Sequence, residues 1–85
     1  MSKKISTKDF LTAPEIRMLN AFGNQWEEKV KEIYAEIYKA VDEKMRTVHI
    51  SVEESTECYA IETYFKMKGF RCDVLWTSNM IRISW

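Results

Sequence analysis

His49 is the single histidine of the 85-residue chain, and it lies in a segment, Arg46 to Val52, whose side chains alternate in character. Val48, Ile50 and Val52 take one side, while Thr47, His49 and Ser51 take the other. The alternation recurs from Phe70 to Trp76 and from Met80 to Trp85, where Arg71, Asp73, Arg82 and Ser84 fall on the polar side. Neighbouring strands align residues of like facing, so His49, Arg71 and Arg82 should converge on one polar surface. Two guanidinium groups and an imidazole can hold a phosphate or carboxylate through charge-assisted hydrogen bonds. The same residues also describe a solvated sheet face with cross-strand ion pairs.

Catalysis asks for more than this. No residue is spaced to make His49 a general base, and Ser51, Ser55 and Ser84 lack the glycine elbow of a hydrolase. No phosphate-binding loop is present. Cys58 and Cys72 have neither CxxC spacing nor enough company for a zinc site, and read as packed thiols. The expectation is a protein that is not an enzyme, with no catalytic residue, metal or cofactor. Among the aromatic residues, Trp26, Phe65 and Trp76 read as core from their spacing, whereas Tyr59 and Tyr64 suit a half-wet binding surface and join the candidate ligand site.

Positioning these residues requires a scaffold that the rest of the chain supplies. Thr12-Ala13-Pro14-Glu15 is a capping box with Pro in the first helical turn, the signature of a helix start. Leu19, Gly23, Trp26, Val30, Ile33, Ile37 and Ala40 follow at heptad spacing, and Tyr34, Tyr38, Val41 and Met45 widen that seam into a face that suits packing against a sheet or several helices better than a strict coiled coil. The reading is one long helix over 12–45 with Gly23 as a point of kink or split, close to 45 Å in length at about 1.5 Å per residue. A helix of that length would overhang a small domain. The seam, with Leu19, Trp26, Val30, Ile33 and Ile37 at its centre, is therefore expected to meet another subunit. A first strand precedes a helix capped by Ser51 or Ser55, with Cys58, Ile61 and Phe65 facing inward. Gly69 ends that helix, with Phe65 and Phe70 placed to touch in a Schellman turn. Thr77-Ser78-Asn79 turns the chain into a closing strand whose Ile81, Ile83 and Trp85 should all be buried.

The predicted fold class is α+β in the order α-β-α-β-β. A polar arm spans 1–11 and a single domain spans 12–85, its second part, 46–85, forming a three-stranded mixed sheet with one packed helix. The mixed sheet follows from a strand-helix-strand crossover, which makes the first two strands parallel, and a hairpin, which makes the last antiparallel.

Charge narrows the partners. The chain carries 13 basic and 13 acidic residues, eight of each sign through Met45 and five of each beyond it. Such balance does not favour a broad electrostatic grip on nucleic acid or an anionic membrane. Lys3 and Lys4 lead into polar residues, not the apolar run of a signal peptide, and no stretch approaches membrane-spanning length. A reduced, intracellular setting is expected.

Thr12-Ala13-x-Glu15-x-Arg17, Ile50-Ser51-Val52, Gly69-Phe70 and the terminal Ile81-Arg82-Ile83-Ser84-Trp85, in this order, resemble a widespread class of small tailed-bacteriophage proteins. The resemblance implies a phage origin and residence in the host cytoplasm or the virion, with the long helix and closing hairpin of that class. It leaves the activity open, because most members of the class have none assigned. Three readings compete. The first is a homo-oligomeric accessory protein that blocks a host defence factor or sequesters a small anionic or nucleotide signal. The second is a minor virion component packed through its long helix. The third, a nucleic-acid binder, has the balanced charge against it.

Overall fold

The computed structural model describes residues 10–85. The polar arm expected over 1–11 therefore lies, apart from Phe10 and Leu11, outside the described residues. The elements are α1 (Ala13–Phe22), a single turn of 3-10 helix (Gly23–Gln25), α2 (Trp26–Asp42), β1 (Thr47–Ser51), α3 (Ser55–Met67), β2 (Arg71–Leu75) and β3 (Met80–Ser84). The α+β class and the element order agree with the sequence reading.

The capping box forms as expected. The Thr12 backbone N–H donates to Glu15 Oε1 at 2.8 Å, and the Glu15 N–H donates to Thr12 Oγ1 at 3.4 Å. The Thr12 N–H and, second to it, the Thr12 hydroxyl, which also donates to Glu15 Oε1 at 2.8 Å, hold the Glu15 carboxyl below its ordinary pKa. The helix does not run unbroken from there to residue 45. Gly23 adopts φ 68° and ψ −153°, a conformation open in practice only to glycine, and the chain changes course. On either side of the break, α1 packs along α3 while α2 follows β1; together the segments make a long helical stretch over 13–42, and the described chain is elongated, 51 × 28 × 19 Å. The second helix also stops early. Met45 N–H reaches back to the Ala40 carbonyl and Lys44 N–H to Val41, a Schellman ending with Lys44 at φ 61°.

The same motif ends α3, with Gly69 at φ 96° and the Phe70 N–H bonded to the Phe65 carbonyl at 2.9 Å. The Phe65 and Phe70 rings meet edge to face at 5.6 Å, as their spacing implied. At its other end α3 departs from expectation. Glu54 is the N-cap residue and no side chain caps it; the Glu57 carboxylate instead accepts the Glu53 N–H.

Sheet order is β1-β3-β2, and both ladders are antiparallel. The mixed sheet is thus corrected. The crossover through α3 does leave β1 and β2 pointing the same way, but one strand's width apart, and β3 returns into the gap to pair with both. Connectivity fixes strand direction; adjacency is settled by which strand fills the slot.

The helices cover one face of this sheet. Ile50, Cys72, Ile81 and Ile83 pack from the sheet against Met18, Trp26, Val30, Ile33 and Ile37 from α1 and α2, and against Cys58, Ile61, Tyr64 and Phe65 from α3. Leu19 lies partly buried against this cluster. Four of the five residues assigned to a subunit interface, Trp26, Val30, Ile33 and Ile37, are therefore buried within the chain itself. A small sheet leaves one apolar face to cover, and the broken helix supplies the cover from the same molecule. Trp76 is also corrected: it lies past the end of β2 in the hairpin loop and is 66% exposed. Trp85 is ordered, its N–H donating to the Arg46 carbonyl at 3.2 Å, but 40% of it remains exposed.

Candidate functional site

The face of the sheet turned away from the helices carries the polar residues singled out by alternation. Strand register places His49 opposite Arg82 and Arg82 opposite Asp73, giving one row across all three strands. Arg82 Nη2 donates to Asp73 Oδ2 at 3.0 Å, with both side chains roughly half exposed. An exposed pair of this kind contributes at most about 1 kcal/mol, so Arg82 can exchange Asp73 for a ligand at little cost. A second row runs Thr47, Ser84, Arg71. Its hydroxyls are linked, Ser84 Oγ donating to Thr47 Oγ1 at 3.1 Å and Thr47 Oγ1 donating to the Ile83 carbonyl at 3.2 Å. Arg71 ends this row, and no carboxylate lies within ion-pair distance of it among the described residues.

Where β2 begins and β3 ends, an open cleft of about 370 Å³ is lined by Gly69, Phe70, Arg71, Ser84 and Trp85. Phe70 and Trp85 form its aromatic wall, their rings perpendicular at 6.4 Å. Phe70 is tied to the core through Phe65, 5.6 Å away, and on its other side Tyr34, at 5.9 Å, leads on to the exposed Tyr38 at 6.0 Å. The cleft thus joins a guanidinium without a carboxylate partner among the described residues, and a hydroxyl, to aromatic rings anchored on the core.

His49, Arg71 and Arg82 share one face of the sheet, His49 and Arg82 in the same row and Arg71 in the next, on the far strand. The tyrosines do not join them. Tyr64 is buried, edge-on to Trp26 at 6.1 Å and to Phe65 at 5.2 Å, and burial pushes its phenol above the ordinary pKa. It is a core residue, because the α3 face that carries Phe65 also turns Tyr64 inward. Tyr59 stays half exposed, but it lies on α3, across the sheet from the polar rows. There the Arg17 guanidinium sits 5.0 Å from the centre of its ring, above a groove of about 300 Å³ that Asn20, Glu54 and Thr56 also line.

Phe70 and Trp85 were missed as site residues because strand alternation assigns both to the buried side. Their position at strand ends, where that side meets solvent, was the available signal. Neither cysteine is poised for chemistry. Both are buried, and burial raises both thiol pKa values, Cys72 to about 11. No helix among the described residues is long and apolar enough to cross a membrane, and no cluster of metal-binding side chains occurs among them.

Comparison with protein-family models, with curated proteins and with solved structures gave no match.

Proposed function

We propose that this is a non-enzymatic binding protein whose open sheet face and adjoining cleft hold a small anion that carries an aromatic ring, the chemistry of a nucleotide. The observation behind this reading is Arg71. It has no carboxylate partner among the described residues, and it lines the same cleft as the aromatic side chains of Phe70 and Trp85. A base stacked on an exposed aromatic ring gains about 1–3 kcal/mol, and a hydrogen bond from Arg to phosphate about 1.5–3 kcal/mol. Arg82 and His49, in the adjacent row, extend the anion-binding surface across the sheet. Balanced net charge suits a compact ligand better than a long nucleic acid.

In a cell, such a protein sequesters its ligand. Taken with the resemblance to small phage proteins, the role is that of an accessory factor in the host cytoplasm, removing a nucleotide signal or occupying a host defence protein through the same face. Packing into a virion through the long helix loses the apolar seam that recommended it, since that seam is buried in the chain's own core.

Calorimetry with mononucleotides and cyclic dinucleotides tests the proposal. Arg71→Ala and Arg82→Ala should each weaken binding by about 1.5–3 kcal/mol, roughly 10- to 150-fold, while leaving the fold intact. Absence of heat with every nucleotide, or wild-type affinity in both variants, refutes it.

A further inference from the structure

We propose that a second copy of this chain pairs with the outer edge of β1, which no strand among the described residues covers, joining two sheets into one of six strands. The inference begins with hydrogen-bond direction. Val52 N–H bonds to the Asn79 carbonyl and Trp85 N–H to the Arg46 carbonyl, which sets the phase of the β1–β3 ladder. In an antiparallel pair, alternate residues turn both backbone groups to the partner, so Arg46, Val48, Ile50 and Val52 face β3. Thr47, His49 and Ser51 then direct their N–H and C=O groups outward, away from the sheet. An edge of this kind is a template for another strand, and natural proteins guard such edges with Lys, Pro or a bulge. Thr-Val-His-Ile-Ser has none of these.

The edge is also self-complementary. Antiparallel pairing about a two-fold axis at His49 sets Thr47 against Ser51 of the other copy and His49 against His49, using the outward groups on both sides. Beside the strand, two open grooves separate β1 from one flank of α2, and they share His49 and Glu36, which therefore lie level with each other. Along that flank the charges run Lys29, Glu32, Glu36, Lys39, Glu43. Reversing the flank about Glu36 brings Lys29 against Glu43 and Glu32 against Lys39, each twice by symmetry, with Glu36 against Glu36 as the one repulsive contact. Charge order along α2 thus favours the antiparallel arrangement that the strand edge requires. The outer edge of β2, which turns out only Cys72 and Val74, has no such flank.

Sedimentation across the micromolar range provides the test. Wild type should approach twice the 10.1 kDa of a single chain. His49→Pro removes an N–H that the ladder of the chain itself does not use, and should weaken the dimer about tenfold or more. Because that variant can distort β1, the charge pair supplies an independent arm. Glu32→Lys and Lys39→Glu should each weaken association several-fold, and the double variant should restore it. A wild type that stays monomeric overturns the proposal, as does a dimer indifferent to all these changes or one dissociated by Tyr38→Ser on the other flank of α2. A monomer that still binds nucleotide overturns the dimer alone and leaves the ligand reading standing.

Discussion

Replacing Ile33 separates a helix seam that serves the core from one that serves another subunit. Ile33 is 2% exposed and packs within the cluster that joins α2 to the sheet and α3. Truncation to Ala removes buried methyl and methylene groups and leaves a cavity, a loss of about 2–5 kcal/mol. At roughly 0.05–0.15 kcal/mol per residue, a domain of this size has about 4–13 kcal/mol of stability in total. Ile33→Ala should therefore stay folded but melt roughly 10 °C or more below wild type, since each kcal/mol is worth about 4–8 °C in so small a domain. Ile33→Asp loses the same apolar burial and adds a carboxyl group without a partner, which must either stay charged at high cost or bind a proton. That variant should be largely unfolded at neutral pH. Circular dichroism during urea denaturation, run at two protein concentrations, measures both effects. The destabilisation should not depend on concentration. An Ile33→Asp protein that keeps the wild-type midpoint but sediments at a lower mass would refute the reasoning and return the seam to a subunit interface.

Gly23→Ala should destabilise by about 1–3 kcal/mol, because φ 68° with ψ −153° is strained for any residue with a Cβ, although that Cβ would meet no atom within 4 Å. Were Gly23 inside a continuous helix, the same change would stabilise by about 0.5–1 kcal/mol, so the sign of the shift in denaturation midpoint decides between the two geometries. The Cys72 thiol, raised from 9.0 to about 11 by burial, binds its proton more tightly in the folded state than in the unfolded chain. Its contribution is fully present below about pH 9 and is lost as pH rises toward about 11, so stability should fall across that window. Urea midpoints measured through the window should fall more steeply with pH for wild type than for Cys72→Val; parallel curves would show that Cys72 is not the group responsible.

Local signals carried much of this molecule. The capping box at Thr12 and Glu15, the Schellman pair Phe65 and Phe70, and the period-two segments depend on neighbours a few residues apart, so the sequence states them directly. Facing followed as well, since alternation alone brought His49, Arg71, Asp73 and Arg82 to one surface. Three features were settled only in the tertiary structure. The apolar seam of α2 announced burial without saying against what, because the hydrophobic effect has no direction and the chain's own sheet satisfies it as well as another subunit would. Strand order was open because a crossover fixes the direction of β1 and β2 but not whether β3 comes between them. The aromatic cleft beside Arg71 was hidden because Phe70 and Trp85 belong by pattern to the buried side, and only the limited length of the strands leaves both rings at the rim, where core and solvent meet.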